Sequence, residues 1–394
     1  MLGILAAVFI GLVMMVILID ILPMSWDWLS RIHIGRYRNK QEWNHSITQV
    51  GVNWLNHTPK IKVTDNVRLV AIDMVKGNYS KSAIQHWQEA SLLLGLSECM
   101  KNGSNKEMDT SIEQFLKSKF DAKGQWRVKP EYIDSAILAY GVLKLDQVDT
   151  EHYKLAFDST WELIQSHIGE DGTVQYRKFM NKYRYVDTIG FVCPFLVRYG
   201  IKYNKPECVQ LAIRQLEQYE KFGMLEDHFI PSHAYHTDNA MPLGLYGWGR
   251  GLGWLAIGLI DSWGELPKEH EFKSSLNQFV LKFARAMLAF QHSDGNWNWT
   301  VTRKETRADS STTATLAWFL LQASQLNELS EECLEGSERA IHYLMKVTRR
   351  SGAVDFSQGD TKDIGVYSML FNILPFTQGF CIRIANFHSR EMGR

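Results

Sequence analysis

Four short stretches of this chain share one pattern, a turn built on glycine and followed at once by aromatic or β-branched residues. They are DAKGQW at 121–126, GEDGTVQY at 169–176, HSDGNWNW at 292–299 and RRSGAVDF at 349–356. Their glycines, at 124, 172, 295 and 352, lie about 48, 123 and 57 residues apart, which fits one, two and one units of roughly 50 to 60 residues. A unit of that length holds two antiparallel helices and their loops, and such a pair cannot bury its apolar faces alone. Repeated pairs must stack into an open solenoid or close into a ring. About 350 residues follow the N-terminal region, enough for six pairs. A closed α/α toroid would gather the ends of its inner helices around one central cleft.

The sequence between the turns is helical in period. Ile47, Val50, Trp54 and Leu55 fall at helical spacing, as do Ile84, Trp87, Ala90 and Leu94, and Ile137, Tyr140 and Leu143 after Pro130. Leu211–Tyr219, Trp254–Trp263, Phe279–Phe290, Thr315–Leu326 and Ala340–Met345 repeat the theme, and no sustained period-two alternation competes. An all-α fold with few strands is expected. Lysine plus arginine (43) equals aspartate plus glutamate (43), so the basic surplus of a nucleic-acid binder is missing. Thirteen tryptophans suit either a large core or a cleft whose flat rings stack on sugars. Cys99, Cys193, Cys208, Cys333 and Cys381 are odd in number and lack CxxC spacing, which fits a reducing compartment and neither a disulfide framework nor a zinc site.

Leu2 to Ile19 is an unbroken apolar run of about 18 residues, followed by Asp20, Pro23 and the interfacial pair Trp26 and Trp28. That length spans a bilayer, and nothing basic precedes it as a secretory signal would require. An uncleaved single-pass transmembrane helix is expected, with residues 1–24 as the anchor and 2–22 in contact with the lipid bilayer. Residues 25–40 read as a basic juxtamembrane linker, and 41–394 as the helical domain. Arg31, Arg36, Arg38 and Lys40 follow the run while no lysine or arginine precedes it, so the domain is expected on the cytoplasmic side.

Three stretches have the residue types for chemistry. In YRYVDTIGFVCPFLVRY at 183–199, Asp187 is a lone acid ahead of a long apolar run, so it serves as a helix cap or sits in a polar cavity as a candidate catalyst. In PEYIDSAILAYGVL at 130–143, Asp134 lies in the first turn after Pro130, where the helix dipole favours an acid. In YGWGRGLGW at 246–254, the glycines allow close backbone approach to a ligand and Arg250 projects between Trp248 and Trp254. That suits a sugar carboxylate, held by a forked ion pair and ring stacking, or equally a tight turn ahead of a core helix. His233, His236 and Asp238 in SHAYHTD are metal-ligand types, but HExxH spacing is absent and no metal or cofactor is assigned. A P-loop, a GxSxG elbow and a GxGxxG dinucleotide fingerprint are absent too.

Together these motifs resemble glycoside hydrolase families 88 and 105, the unsaturated glucuronyl and unsaturated rhamnogalacturonyl hydrolases. VDTIGFVCPFLVRY looks like their catalytic segment, GWGRGLGW like their WxRGxxW signature, and YIDSAILAYGVL like the segment bearing their second aspartate. SHAYHTD, DGNWNW and ADSSTTATLAWFLL follow in the family's order, and the resemblance covers roughly residues 80 to 390. It implies an (α/α)6 barrel. It also implies that Asp187 is the general acid and base and Asp134 its carboxylate partner, and that His233, Trp248 and Arg250 contact the sugar, with Tyr185 and Trp254 in the substrate-binding set. The implied reaction removes a 4,5-unsaturated uronic acid from the non-reducing end of an acidic oligosaccharide by hydrating the C4=C5 vinyl ether. Asp187 must then arrive protonated, which desolvation and repulsion from Asp134 would favour. The chain departs from the family's habit in two places: Tyr176, Arg177 and Lys178 replace an aromatic-histidine-lysine run, and Tyr185 stands where tryptophan is common. A membrane-anchored barrel that binds acidic glycans or assists polysaccharide assembly without hydrolysis is the other reading.

Overall fold

The computed structural model describes residues 1–63, 69–77, 80–81, 85–103 and 105–392; Ile84, expected on a helix, lies outside them. Helix α1 (Leu2–Val16) runs through one π-helical turn, Ile17–Ile21, into α2 (Leu22–Ser30). Then come α3 (Lys40–Asn56), the short α4 (Val70–Val75), α5 (His86–Met100), α6 (Lys106–Lys119), α7 (Ser135–Leu143) and α8 (Lys154–Gln165). The chain continues through α9 (Val186–Lys202), α10 (Pro206–Gly223), α11 (Gly249–Glu265), α12 (Lys273–Phe290), α13 (Ser310–Ala323), α14 (Ser330–Lys346) and α15 (Pro375–Met392). The described strands are two or three residues long.

Six helices pack in a closed ring: α5 on α7, α7 on α9, α9 on α11, α11 on α13, α13 on α15, and α15 back on α5. Their composition explains their place, because a helix apolar on every side must be covered on every side. Every residue of α7 is buried, and in α13 only Gln322 is not. Helices α3, α6, α8, α10, α12 and α14 pack outside this ring on one face each. In α10, for example, Cys208, Leu211, Ala212, Gln215, Leu216 and Tyr219 face inward at three- and four-residue steps.

The four glycine turns each follow an outer helix and lead to the next inner one. In each, the glycine N–H donates to the carbonyl three residues earlier (Asp121, Gly169, His292, Arg349), at 2.8–3.0 Å. All four glycines have positive φ, from 73° to 92°. A Cβ on Gly352 would meet the Ser46 carbonyl oxygen of α3 at 2.5 Å, so the last turn packs against the first outer helix and completes the outer layer. The doubled interval between Gly172 and Gly295 contains a fifth hairpin after α10, in which Met224–Leu225 pairs with Ile230–Pro231 and the positive φ falls on Phe229 at 51°. No glycine marks that turn, which is why the repeat skips it.

The N-terminal helix runs unbroken over 29 residues, Leu2–Ser30, with mean hydropathy 3.1 in its most apolar window and no buried residue in α1. It is the one helix among the described residues long and apolar enough to cross a membrane. Where a basic linker was expected, helix persists through Ser30 and the chain is docked. The Arg31 guanidinium forks onto Asp355 (2.7 and 3.0 Å), and Asp27, one turn before it, accepts from Arg349 and Asn372 at 3.2 and 2.6 Å. Spacing by four places Asp27 and Arg31 on one helical face, and the segment between α14 and α15 supplies complementary partners to both.

Candidate active site

Each short strand near the centre of the ring positions a functional side chain. Tyr183–Tyr185 pairs antiparallel with Ala234–His236, Tyr185 opposite Ala234, and the Val186 N–H donates to the His233 carbonyl at 3.0 Å. This clamps the start of α9 beside His233. A cavity of about 650 Å³ opens at that end of the inner helices, and Asp134, Tyr185, Asp187, His233, Trp248, Arg250 and Trp254 all line it. The seven residues singled out in the sequence are thus brought to one place.

Neither aspartate spends its side chain on capping. Asp134 is the residue before α7 and Asp187 is in the first turn of α9, yet no side-chain cap bond forms at either helix. Asp134 Oδ1 and Asp187 Oδ2 are buried without hydrogen-bond partners. Burial is the largest influence on Asp187 and, with repulsion from Asp360, it pushes the carboxyl up to about 7 against the pull of its own backbone N–H, Arg250 and Arg177. About 15 % of the Asp187 side chain still faces the cavity, so a ligand there can reach it. Burial also raises Asp134, opposed by His86 and Arg177. The like charge that acts most on Asp187 is therefore Asp360, ahead of the Asp134 that the sequence suggested. Asp360 sits in the irregular segment SQGDTKD, lines the same cavity and is itself raised by burial.

His233 Nε2 lies 3.6 Å from Asp187 Oδ2, just beyond a hydrogen bond. Burial, and secondarily Arg250, hold the His233 imidazole down at about 3, so it is neutral beside a carboxyl that is half protonated near pH 7. The pair is two neutral groups on the acid side of neutrality and no ion pair there. His233 packs with its ring tilted against Trp248, centroids 4.4 Å apart, and the Trp248 indole N–H donates to Gln358 Oε1 at 3.0 Å.

Arg250 occupies the first turn of α11 and is 2 % exposed. Its Nη2 donates to the Gln358 and Gly359 carbonyl oxygens at 2.6 and 2.5 Å, while Nε and Nη1 have no partner. The guanidinium lies about 6 Å from the rings of Trp87 and Trp248. Trp254, expected as its second flank, instead packs on Phe191 at 4.6 Å and edge-on against Trp87 at 5.7 Å. The glycines of this stretch serve the helices rather than a ligand: a Cβ on Gly253 would meet Thr315 Oγ1 of α13 at 2.5 Å, and one on Gly249 would strike Thr312. They bring α11 close enough to α13 for Arg250 to reach the 357–359 backbone.

Sequence reasoning missed Asp360, which no periodicity marks, and undervalued Arg177. The Arg177 guanidinium lies 4.2 Å from the Tyr132 ring and 4.0 Å from the Tyr176 ring, at the cavity wall. Tyr176, half-buried at the cavity wall and acted on by Asp187, Asp134 and Asp360, has its phenol pushed far above the ordinary range, chiefly by desolvation. His236 and Asp238 lie outside the cavity lining; Asp238 pairs with Lys182 at 2.9 Å. Among the described residues no group of three His, Cys, Asp or Glu is placed to hold a metal.

The arrangement supplies a proton donor poised near neutrality, a fixed cation with unpartnered N–H groups, and aromatic walls. Residues 61–369 match the model of Glycosyl Hydrolase Family 88. No match is found among curated proteins. Among solved structures, a possible member of glycoside hydrolase family 105 from Salmonella enterica serovar Paratyphi A superposes with TM-score 0.76 at 17 % identity, over 91 % of this chain and 96 % of that one. An unsaturated glucuronyl hydrolase specific for heparin gives 0.68 at 14 % identity, over 90 % and 98 %. The unsaturated glucuronyl hydrolase of Bacillus sp. GL1, responsible for degradation of glycosaminoglycan, gives 0.66 at 14 % identity, over 88 % and 95 %. At such identities the superpositions speak for the fold, a helical architecture shared over nearly the whole of each chain, while the family match covers most of this one. The chain belongs to glycosyl hydrolase family 88 and is a glycoside hydrolase.

Proposed function

We propose that this hydrolase removes a 4,5-unsaturated uronic acid from the non-reducing end of an acidic oligosaccharide. The observation that carries the reading is Asp187, an acid held up to about 7 in a cavity that also presents the unpartnered Nε and Nη1 of Arg250. Arg250 binds the uronate carboxylate, aided by the faces of Trp248 and Trp87. Asp187 protonates C4 of the vinyl ether, and positive charge develops at C5 and the ring oxygen. Water adds to C5 as the Asp187 carboxylate takes its proton back, which regenerates the acid. The C5 hemiketal opens to a ketone and leaves C1 as a hemiacetal, which expels the remaining saccharide. Asp134 is the partner carboxylate that holds sugar hydroxyls, neutral His233 orients the Asp187 carboxyl, and Tyr185 and Trp254 shape the wall. The family and the two structural relatives that act on unsaturated glucuronyl substrates support this assignment.

The same proposal gives residues 41–394 as the catalytic domain of an (α/α)6 barrel and 1–24 as a single-pass anchor, with the catalytic domain in the cytoplasm. The test is direct. The full chain, incubated with lyase-generated oligosaccharides from several polyuronides, should bleach the ultraviolet absorbance of the conjugated double bond. In heavy water one solvent deuteron should appear at C4 of the released keto-uronate. Substrate that is bound and never consumed would refute the reaction, and digestion of the domain by protease outside intact cells would refute its placement.

A further inference from the structure

Asp20 is the first charged side chain of the N-terminal helix and is 4 % exposed. It sits in the π-helical turn, and its two oxygens accept from the backbone N–H groups of Val70 (2.7 Å) and Ala71 (3.1 Å), the first residues of α4. A carboxyl group is costly in hydrocarbon and this one is bonded to the folded domain, so Asp20 marks the level at which the helix leaves it. The apolar residues before it, Leu2 to Ile19, rise about 27 Å as helix, close to the thickness of a bilayer core. Asp20, Asp27 and Arg31 thus fix the foot of the span to the folded domain through charged and buried contacts. A flexible tether would leave these side chains in water.

The foot is fixed next to the catalytic cavity. Phe371 and Asn372, which hold Arg31 and Asp27, belong to the hairpin in which Ser357–Gln358 pairs with Phe371–Asn372, and Asp355, which holds Arg31, lies two residues before its first strand. The far part of that hairpin, Asp360 to Asp363, lines the catalytic cavity, and the Tyr367 ring lies tilted against those of His233 and Trp248, at 5.6 and 5.3 Å. The near part, Met369 to Leu374, lines a second cavity of about 630 Å³ together with Ile19, Pro23, Met24 and Trp28 of the helix foot. One hairpin is therefore the wall between the active site and the base of the span. Around this base lie large apolar side chains open to solvent, Ile72, Met74 and Val75 of α4 (Val75 is 74 % exposed) and Met369 of the hairpin, with the exposed Val366 three residues before Met369. Helix α4 packs on the π-helical turn itself. Apolar surface continuous with the foot of an apolar helix is covered by whatever covers that helix.

We propose that the catalytic edge of the barrel rests on the bilayer, with α4 and the outer side of the 355–374 hairpin in the lipid interface. The cavity then opens at the membrane surface, and the acidic saccharide it takes is one tethered to lipid. The inference rests on reading Leu2–Ile19 as a span, and its substrate clause rests on the uronyl hydrolase reading.

The full chain is reconstituted in vesicles of phosphatidylcholine and phosphatidylglycerol that contain a lipid with a photoreactive headgroup, and labelled peptides are mapped by mass spectrometry. Label is expected at 72–75 and 366–369 as well as at the span, with the loops after α9 and α11, at the opposite end of the ring, unlabelled. Label confined to 2–19, or equal at both ends of the ring, overturns the proposal; an unlabelled 2–19 removes the span and the proposal together. A second measurement compares one unsaturated oligosaccharide free and lipid-tethered. Wild type should favour the tethered form by about tenfold or more in kcat/KM, as local concentration at a surface provides. Met74→Glu with Val75→Glu should abolish that preference and the label at 366–369 while turnover of the free form is unchanged. A preference that survives both substitutions overturns the proposal. If neither form is consumed, the reaction assigned above fails while the labelling still decides the orientation.

Discussion

Replacing Asp187 by asparagine should raise stability in alkali while it removes activity. In the native protein the carboxyl titrates at about 7 against 3.8 for the free side chain, chiefly because burial disfavours the charge. Between those values the native state holds a proton that the unfolded chain has released, so this group's contribution declines as pH rises through the window and is fully present only below it. A shift of about three units, at 1.36 kcal/mol each, amounts to about 4 kcal/mol as an upper bound. Cavity water, which touches about 15 % of the side chain, screens part of that and leaves a few kcal/mol. The asparagine side chain carries no proton to lose, so the variant-minus-wild-type difference should be near zero at pH 4 and grow to about 2 to 4 kcal/mol at pH 8. Urea midpoints of the detergent-solubilised full chain, taken at both pH values, measure it. Turnover should fall by about three orders of magnitude at every pH, as loss of a general acid entails. A stability difference that does not change with pH would refute the burial argument, and a variant that keeps its turnover would remove Asp187 from the chemistry.

Arg250→Lys keeps the charge and loses the fork, so affinity for an acidic saccharide should drop by about 1 to 3 kcal/mol in calorimetry while a reduced-carboxyl analogue is unaffected. Asp360→Asn removes the carboxylate that pushes Asp187 upward, so the basic limb of kcat/KM should move to lower pH with the maximal rate largely retained; an unmoved limb would exclude the coupling. Gly352→Ala places a Cβ at φ 88° against the Ser46 carbonyl and should cost about 1 to 3 kcal/mol in urea titration with activity per folded molecule unchanged.

The helical class was legible because apolar residues at three- and four-residue steps dominate the chain, and the ring because Gly124, Gly172, Gly295 and Gly352 all occupy the same positive-φ position. The convergence of the candidate residues on one cavity was legible as motifs, since Asp134, Asp187 and Arg250 each stand at a helix start, where a charged group breaks an apolar run. Asp360 was not, because its segment carries no period and its place is fixed by distant partners, the Gln85 amide at 3.3 Å and the Arg250-bound backbone before it. Trp254 does line the cavity, but its packing on Phe191 and Trp87 and not beside Arg250 was not legible, because spacing alone does not say which face of α11 meets α9. The joint at Asp27 and Arg31 was hidden for the same reason: its partners lie more than 300 residues away.

The closing of the ring sets an order on biosynthesis. Helix α5, made early, finds its largest neighbour in α15, the last helix, and the first outer helix waits for the turn at Gly352. The partners that dock the end of the N-terminal helix, Arg349, Asp355 and Asn372, also lie in the final fifth of the chain. The N-terminal helix is therefore made long before the residues that dock its end onto the domain. Until α15 emerges, one seam of apolar helix faces stays open, so the segment from α3 to α5 is the part most exposed to chaperones and proteases during synthesis. A chain ended after Lys346 should exchange amide hydrogens freely in α3 and α5 while α9 to α13 stay protected.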